Sequence, residues 1–251
     1  MSQCHNCGNP LQGKYCTSCG QHYKGNERLT FAYVVDDFLN NILNFEKGFF
    51  FTFWSLLVRP GKVASEYIYG KRKKYLSPPR YFGIVLVLVA IIEWLMPLPF
   101  SEELISETVA HVPFMDKETA EPMMRWAFYL VVKYFIPASF VRMLINPVLS
   151  YVLFLKQRMN MVEHVSAMFY FQATWFLIFM TSVPVIVRVY PDFSLGDSLL
   201  IIWGYLIWAS YQLFRSYRPI PRLLRSFLLA IGSSILWFAV CYILGLIHVI
   251  Q

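Results

Sequence analysis

The sequence has few charged residues. Asp, Glu, Lys and Arg together make up 15% of its 251 residues, whereas an average soluble domain has about 25%. Hydrophobic residues make up 57%, which is more than a typical soluble chain contains. This composition excludes an ordinary soluble domain and favours an integral membrane protein.

The common sequence signatures of catalysis are also missing. The chain has no glycine-rich phosphate loop, no G-x-S-x-G, no H-E-x-x-H and no acidic repeat suited to a second metal. Its first 20 residues lack the apolar stretch of a cleavable secretion signal, so we expect the first spanning helix to act as the insertion signal. We therefore assign no catalytic residue and favour a non-enzymatic function.

The N-terminus contains two Cys-x-x-Cys pairs, each followed by glycine. Their members are Cys4, Cys7, Cys16 and Cys19. Thiolates at this spacing converge on one tetrahedral ion, and glycine accepts the turn that follows. The pattern predicts a structural Zn²⁺ site in a small zinc ribbon over residues 1–24. Iron and two disulfides are the alternatives, and the disulfides would require an oxidising compartment. A closed four-thiolate site leaves no position for substrate.

Five apolar segments follow later in the chain. About 20 apolar residues are needed to cross a hydrocarbon layer of about 30 Å. We expect transmembrane helices over residues 81–98, 134–155, 165–187, 199–214 and 226–247. The predicted fold class is therefore an all-α integral membrane protein, with a transmembrane domain over residues 81–251.

Basic residues lie in the loops on one side of this five-helix arrangement. They are Lys71, Arg72, Lys73, Lys74, Arg80, Lys156, Arg158, Arg215, Arg218, Arg222 and Arg225. The opposite loops contain only Lys117, Arg125 and Arg188, among several acidic residues. By the positive-inside rule, the N-terminus is cytoplasmic and the C-terminus lies outside, in a cell inner membrane. The net charge of +7 is then an inner-leaflet feature, and no nucleic-acid partner is expected.

Residues 25–80 have the pattern of interfacial helices. Apolar residues recur at helical spacing between Phe31 and Leu43, with Thr30 as the expected cap. After Gly48, the apolar run from Phe49 to Val58 is too short to span, so we expect it to lie in the membrane plane. These helices either pack on the bundle and the inner leaflet or form a vestibule for lipid or ligand.

The basic segment Lys71, Arg72, Lys73, Lys74 and Arg80 stands between aromatic residues, directly before the first span. Such a segment attracts anionic headgroups of the inner leaflet at about 1 kcal/mol per basic residue. A plain topology signal would have the same sequence. Specific recognition of anionic lipid and simple anchoring therefore both remain open.

Several motifs resemble those of an uncharacterised bacterial family of multi-span membrane proteins with an N-terminal zinc ribbon, known only as a domain of unknown function. The resemblance rests on the two Cys-x-x-Cys-Gly pairs, on residues 56–61 (LLVRPG), on residues 67–72 (YIYGKR), on the Tyr75 to Pro78 step and on Glu163-His164. It implies a multi-span helical fold with a ribbon and implies no activity.

Polar residues inside spans are costly and so mark candidate sites. Glu93 and Arg142 lie at similar depths, roughly 18 to 20 Å from the inner boundary. Asn146 shares a helical face with Arg142, and Gln172 lies at a comparable depth. We therefore predict an intramembrane polar cluster of Glu93, Arg142, Asn146 and Gln172. It either joins helices or forms a path for substrate or protons.

Two functions are compatible with these features. In the first, the protein is a membrane scaffold or regulator whose cytosolic ribbon and amphipathic helices dock a protein partner at the inner leaflet. In the second, the polar cluster serves a transporter of lipid or small solutes, or a membrane enzyme. We favour the first, because the strongest motif is a closed metal site.

Overall fold

The computed structural model describes residues 3–11, 13, 15–22, 28–34, 48–96, 135–190 and 195–250. In this part of the chain the regular secondary structure is helical, and no strand occurs beyond two isolated β-bridges. The helices are α1 (Gly48–Val58), α2 (Pro60–Ile68), α3 (Pro78–Leu95), α4 (Phe135–Leu153), α5 (Met161–Val189), α6 (Leu195–Leu213) and α7 (Pro219–Ile250). The prediction of an all-helical chain is confirmed for these residues.

Three segments are long and apolar enough to cross a membrane. They are Pro78–Leu95, Met161–Val189 and Pro219–Val240. The expected spans at 134–155 and 199–214 also form helices, but their described apolar parts, Val141–Leu153 and Leu200–Leu213, are shorter. The chain therefore has the helices of a membrane protein, and five crossings remain a prediction.

Helix α5 occupies the centre of the bundle. It packs against α3, α4 and α6, and α7 packs against α4 and α6 on the far side. Asn160 caps its start: the Asn160 side chain accepts from the Glu163 N–H at 2.8 Å, and Glu163 accepts from the Asn160 N–H at 2.7 Å. This reciprocal capping box satisfies two donors that a helix end otherwise leaves unpaired.

The helices predicted between residues 25 and 80 are described in part. Thr30 accepts a hydrogen bond from the Tyr33 N–H at 3.3 Å, as expected of a cap, and residues 31–34 are helical. The rest of the amphipathic helix predicted to reach Leu43 lies outside the described residues. Helix α1 exposes Phe50 and Trp54 one turn apart. An exposed apolar face of this kind suits a helix lying in the membrane interface.

Helix α2 was not expected from the sequence. Pro60 and Gly61 suggest a break, yet Pro60 opens a helix, a position where its missing N–H costs nothing. Gly61 lies so close to α6 that a Cβ atom there would be 2.4 Å from the Cβ of Gln212 and 2.4 Å from the backbone nitrogen of Leu213. Only glycine allows the two helices to approach this closely.

Candidate metal centre and intramembrane polar cluster

The four N-terminal cysteines form one compact cluster. Sγ of Cys4 lies 3.7 Å from Sγ of Cys19, and Sγ of Cys7 lies 3.6 Å from Sγ of Cys16. All four sulfur atoms lie within 4.8 Å of one another, and the thiols are not joined in disulfides. Metal–sulfur bonds of about 2.3 Å in a tetrahedron place sulfur atoms about 3.8 Å apart. The cluster can therefore hold a metal ion.

Two similar backbone turns position these thiols. The Cys4 N–H donates to the carbonyl of Asn9 at 2.8 Å, and the Gly8 N–H donates to the carbonyl of Cys4 at 2.8 Å. The second turn repeats both bonds around Cys16 and Gly20, at 2.9 and 2.8 Å. The two glycines have φ values of 80° and 68°, a conformation that favours glycine.

Backbone donors also stabilise the charged form of one ligand. Hydrogen bonds from the backbone of Cys19 and Ser18 lower the pKa of Cys16 to about 6, despite an opposing effect of burial. The thiolate is the form that binds metal. These backbone donors therefore favour the thiolate form of Cys16.

The cysteine cluster is attached to the helical part of the protein through Gln21. Its Nε2 donates to the carbonyl of Gly70 at 2.7 Å, and its Oε1 accepts from the Lys73 N–H at 3.3 Å. Gly70 has φ of 114°, and a Cβ atom there would be 2.9 Å from Cβ of His5. The turn that contacts the cysteine-containing segment thus requires glycine both for its backbone conformation and for its contact with His5.

Most of the predicted lipid-contacting residues have partners within the protein. Glu66 forms ion pairs with Lys71 at 3.2 Å and Lys74 at 2.7 Å, and it accepts from the Tyr75 hydroxyl at 2.7 Å. Burial would raise the pKa of Glu66, but these hydrogen bonds lower it to about 2. The guanidinium of Arg72 lies over the Tyr33 ring, 4.5 Å from its centroid.

The other two members of this set differ from each other. Lys73 is exposed, whereas Arg80 is buried at the start of α3. The structure therefore does not present the five basic residues as one exposed patch.

A second set of contacts holds residues 28–29 against the start of α5. Arg28 forms a two-pronged ion pair with Glu163, with Nε–Oε1 and Nη2–Oε2 distances of 3.2 and 2.7 Å. Arg28 also donates to the carbonyl of Arg158 at 2.6 Å, and Asn160 donates to the carbonyl of Leu29 at 3.1 Å. Glu163 therefore caps the start of α5 and binds Arg28. The adjacent His164 contacts Ser150 instead.

The intramembrane cluster is assembled in part. Nδ2 of Asn146 donates to Oε1 of Gln172 at 3.3 Å, so these two predicted members meet between α4 and α5. The guanidinium of Arg142 lies 5.0 Å from the ring centroid of Trp175, and its Nη2 lies 3.4 Å from Oγ of Ser234 on α7. These three predicted residues are buried.

Glu93 does not join this cluster. It is half-buried on α3, which packs against α5, whereas Arg142 is on α4 between α5 and α7. In the described part of the chain, no ion pair connects Glu93 with Arg142. Similar depth placed the two residues at one level, but it did not determine which helices are neighbours.

The same helix interface contains further polar residues that were not predicted from the sequence. Oγ of Ser150 lies 2.8 Å from Nδ1 of His164, and both residues are fully buried. Ser150 follows Asn146 by one helical turn, so α4 presents a buried polar stripe. At the Arg142 end of this stripe, Oγ of Ser234 also accepts a hydrogen bond from Nε1 of Trp203 at 2.9 Å. The i, i+4 spacing of Arg142, Asn146 and Ser150 was the available sequence signal.

Comparison with known proteins gives one partial match. Residues 46–89 match the family described as Protein of unknown function (DUF3667). The matched stretch includes α1, α2, the basic residues 71–74 and much of α3, but not the cysteine cluster. No curated protein and no solved structure matches the chain.

Proposed function

We propose that this protein is a membrane scaffold or regulator whose N-terminal zinc ribbon and interfacial helices dock a partner protein at the inner leaflet. The observation that supports this function is the attachment of a closed four-thiol cluster to the helical domain through Gln21. A metal in such a site fixes the shape of a surface and leaves no coordination position for substrate. Zinc is the metal that four thiolates in two close pairs favour.

The proposed topology has five crossings of a bacterial inner membrane, with the N-terminus in the cytoplasm and the C-terminus outside. Helices α4 and α6 each contain 19 residues, a length of about 28 Å at 1.5 Å per residue. That length is close to the hydrocarbon thickness. A reporter fused after Gln251 should be active outside the cytoplasm, and one fused before Met1 should be active inside. Both reporters active on the same side would contradict five crossings.

The ribbon offers an exposed aromatic side chain for contact with a partner. Tyr15 is 62% exposed, and its ring lies in a T-shaped arrangement with the His22 ring, with centroids 4.7 Å apart. A photo-crosslinking amino acid at position 15 in intact cells should form a discrete protein adduct. The same amino acid in place of Trp94, an exposed residue at the far end of α3, is the matched control.

Metal dependence makes this experiment specific. Cys4→Ser combined with Cys7→Ser should abolish the adduct at position 15, because the surface that presents Tyr15 loses its metal. An adduct that persists in this double variant, or that forms equally from position 94, would contradict the scaffold function.

The buried polar stripe favours a second candidate function. Arg142, Asn146 and Ser150 lie on one face of α4 and contact polar groups of α5 and α7. Such a stripe suits a transporter of lipid or small solutes, or a membrane enzyme. Loss of a cellular phenotype in Asn146→Ala, with unchanged folded yield and an unchanged adduct at position 15, would favour this alternative.

A further inference from the structure

The start of helix α3 contains a buried cation. Arg80 is 6% exposed and Ser77 is 7% exposed. Nε and Nη2 of Arg80 and Oγ of Ser77 are buried and have no hydrogen-bond partner among the described residues. In the same part of the chain, no carboxylate forms an ion pair with Arg80. The site therefore has a positive charge and several donors without an acceptor.

Arg80 is a cationic side chain in a buried position. Burial of an ion without a partner is strongly unfavourable. An anion bound from outside the chain would remove this cost, and the arrangement around Arg80 suits one.

The helix start places the two residues on one face. Ser77 is the N-cap of α3, and Arg80 follows it by three residues in the first turn. Side chains on a helix lean towards its N-terminus, which is the end that Ser77 caps. No side-chain hydrogen bond caps this end, and Pro78 and Pro79 provide no N–H. The donors for an anion are therefore side chains, at the end of the helix that attracts negative charge.

We propose that Arg80 and Ser77 bind the phosphate group of a membrane lipid. A guanidinium and a hydroxyl match the oxygen atoms of phosphate, and α3 is one of the helices long enough to span, so its first turn would lie at headgroup level. The neighbouring Lys71 and Lys74 are already paired with Glu66. This assignment requires α3 to cross the membrane and does not depend on the scaffold function.

The experiment uses the full-length protein in dodecyl maltoside, a detergent without phosphate. Native mass spectrometry measures binding of phosphatidylglycerol to the wild type and three variants. We expect one tightly bound lipid per wild-type chain. Ser77→Ala should weaken binding about tenfold and Arg80→Gln about a hundredfold, because Arg80→Gln removes a positive charge as well as hydrogen bonds to the phosphate. Lys73→Gln, which removes an exposed charge nearby, should change binding less than about threefold.

Two further binding measurements show whether the bound phosphate belongs to a lipid or is free inorganic phosphate. A phosphate-free diacylglycerol should not occupy the site, and inorganic phosphate should compete with phosphatidylglycerol only weakly, since it lacks acyl chains. Equal weakening by Lys73→Gln and Arg80→Gln would overturn the proposal in favour of diffuse charge attraction. Binding of inorganic phosphate without lipid would overturn the lipid assignment. Should Arg80→Gln fold poorly, unchanged lipid binding by Ser77→Ala would be sufficient to overturn it.

Discussion

The side chain of Gln21 joins the cysteine cluster to the carbonyl of Gly70 at 2.7 Å. Its other amide atom accepts from the Lys73 N–H, so one side chain binds two backbone groups of the same turn. Gln21 directly follows the second cysteine turn, whose Cys16 N–H donates to the Gln21 carbonyl. Any change in this turn is therefore next to the contact that attaches it to the helical domain.

The first prediction concerns this attachment. Gln21→Ala and Gly70→Ala should each retain the metal but release the ribbon, since neither changes a thiol. Gly70→Ala adds strain at φ 114° and a 2.9 Å contact with His5. Hydrogen exchange should become faster in the peptide that contains Lys73. Gly13→Ala, where a Cβ meets nothing within 4 Å, is the control, and equal exchange in all variants would refute the attachment.

The second prediction concerns the contact between α2 and α6. Gly61→Ala places a methyl group 2.4 Å from Gln212 and Leu213, so the helices must move apart, at a cost of about 1 to 3 kcal/mol. Folded yield and the thermal midpoint in detergent should both fall. Gly204→Ala on α6 meets nothing within 4 Å and should be neutral or stabilising by up to about 1 kcal/mol. Similar midpoints for the two variants would show that the close approach is wrong.

The third prediction is a pH dependence at Glu66. Its pKa is lowered from the ordinary 4.5 to about 2, so its contribution to stability is complete above pH 4.5 and is lost as the pH falls towards 2. Glu66→Gln should lower stability at pH 7 by about 1 kcal/mol, because solvent screens the partly exposed lysines. The difference in thermal midpoint should shrink below pH 4.5. A difference that is constant down to pH 3 would contradict the ion pairs.

The fourth prediction separates the members of the polar cluster. Asn146→Ala and Gln172→Ala remove two side chains in contact at 3.3 Å, so their effects on the free energy of unfolding should be non-additive by at least about 0.5 kcal/mol. Glu93→Gln and Arg142→Gln should be additive, since their side chains form no ion pair. If the effects of Glu93→Gln and Arg142→Gln were as non-additive as those of the first pair, Glu93 and Arg142 would be in contact, as their similar depths had suggested.

Helix positions were more predictable than helix neighbours. Segment length and apolar composition were sufficient to predict helices near Pro78–Leu95 and Met161–Val189, because a membrane span imposes both. Depth along a helix says nothing about which face is turned inwards, and the structure shows no ion pair between Glu93 and Arg142 among the described residues. That choice depends on packing around α5, which involves the whole bundle.

The cysteine cluster was predictable from spacing alone, because its ligands are local. Its attachment was not, since Gln21 and Gly70 are far apart in sequence and a backbone carbonyl has no sequence signal. The same is true of Arg28, whose partner Glu163 is 135 residues away. Gly61 illustrates a further limit. The apolar helix does end at Val58, as the sequence indicated, but the close contact of Gly61 with α6 has no sequence signal.

The most direct test of the account is X-ray absorption at the zinc edge, on the purified full-length protein, combined with metal analysis. We predict one zinc per chain, bound by four sulfur atoms at about 2.3 Å. Cys4→Ser with Cys7→Ser should abolish the signal. Nitrogen or oxygen ligands in place of sulfur, or a metal-free chain with all four thiols oxidised, would contradict the metal centre and the scaffold function that depends on it.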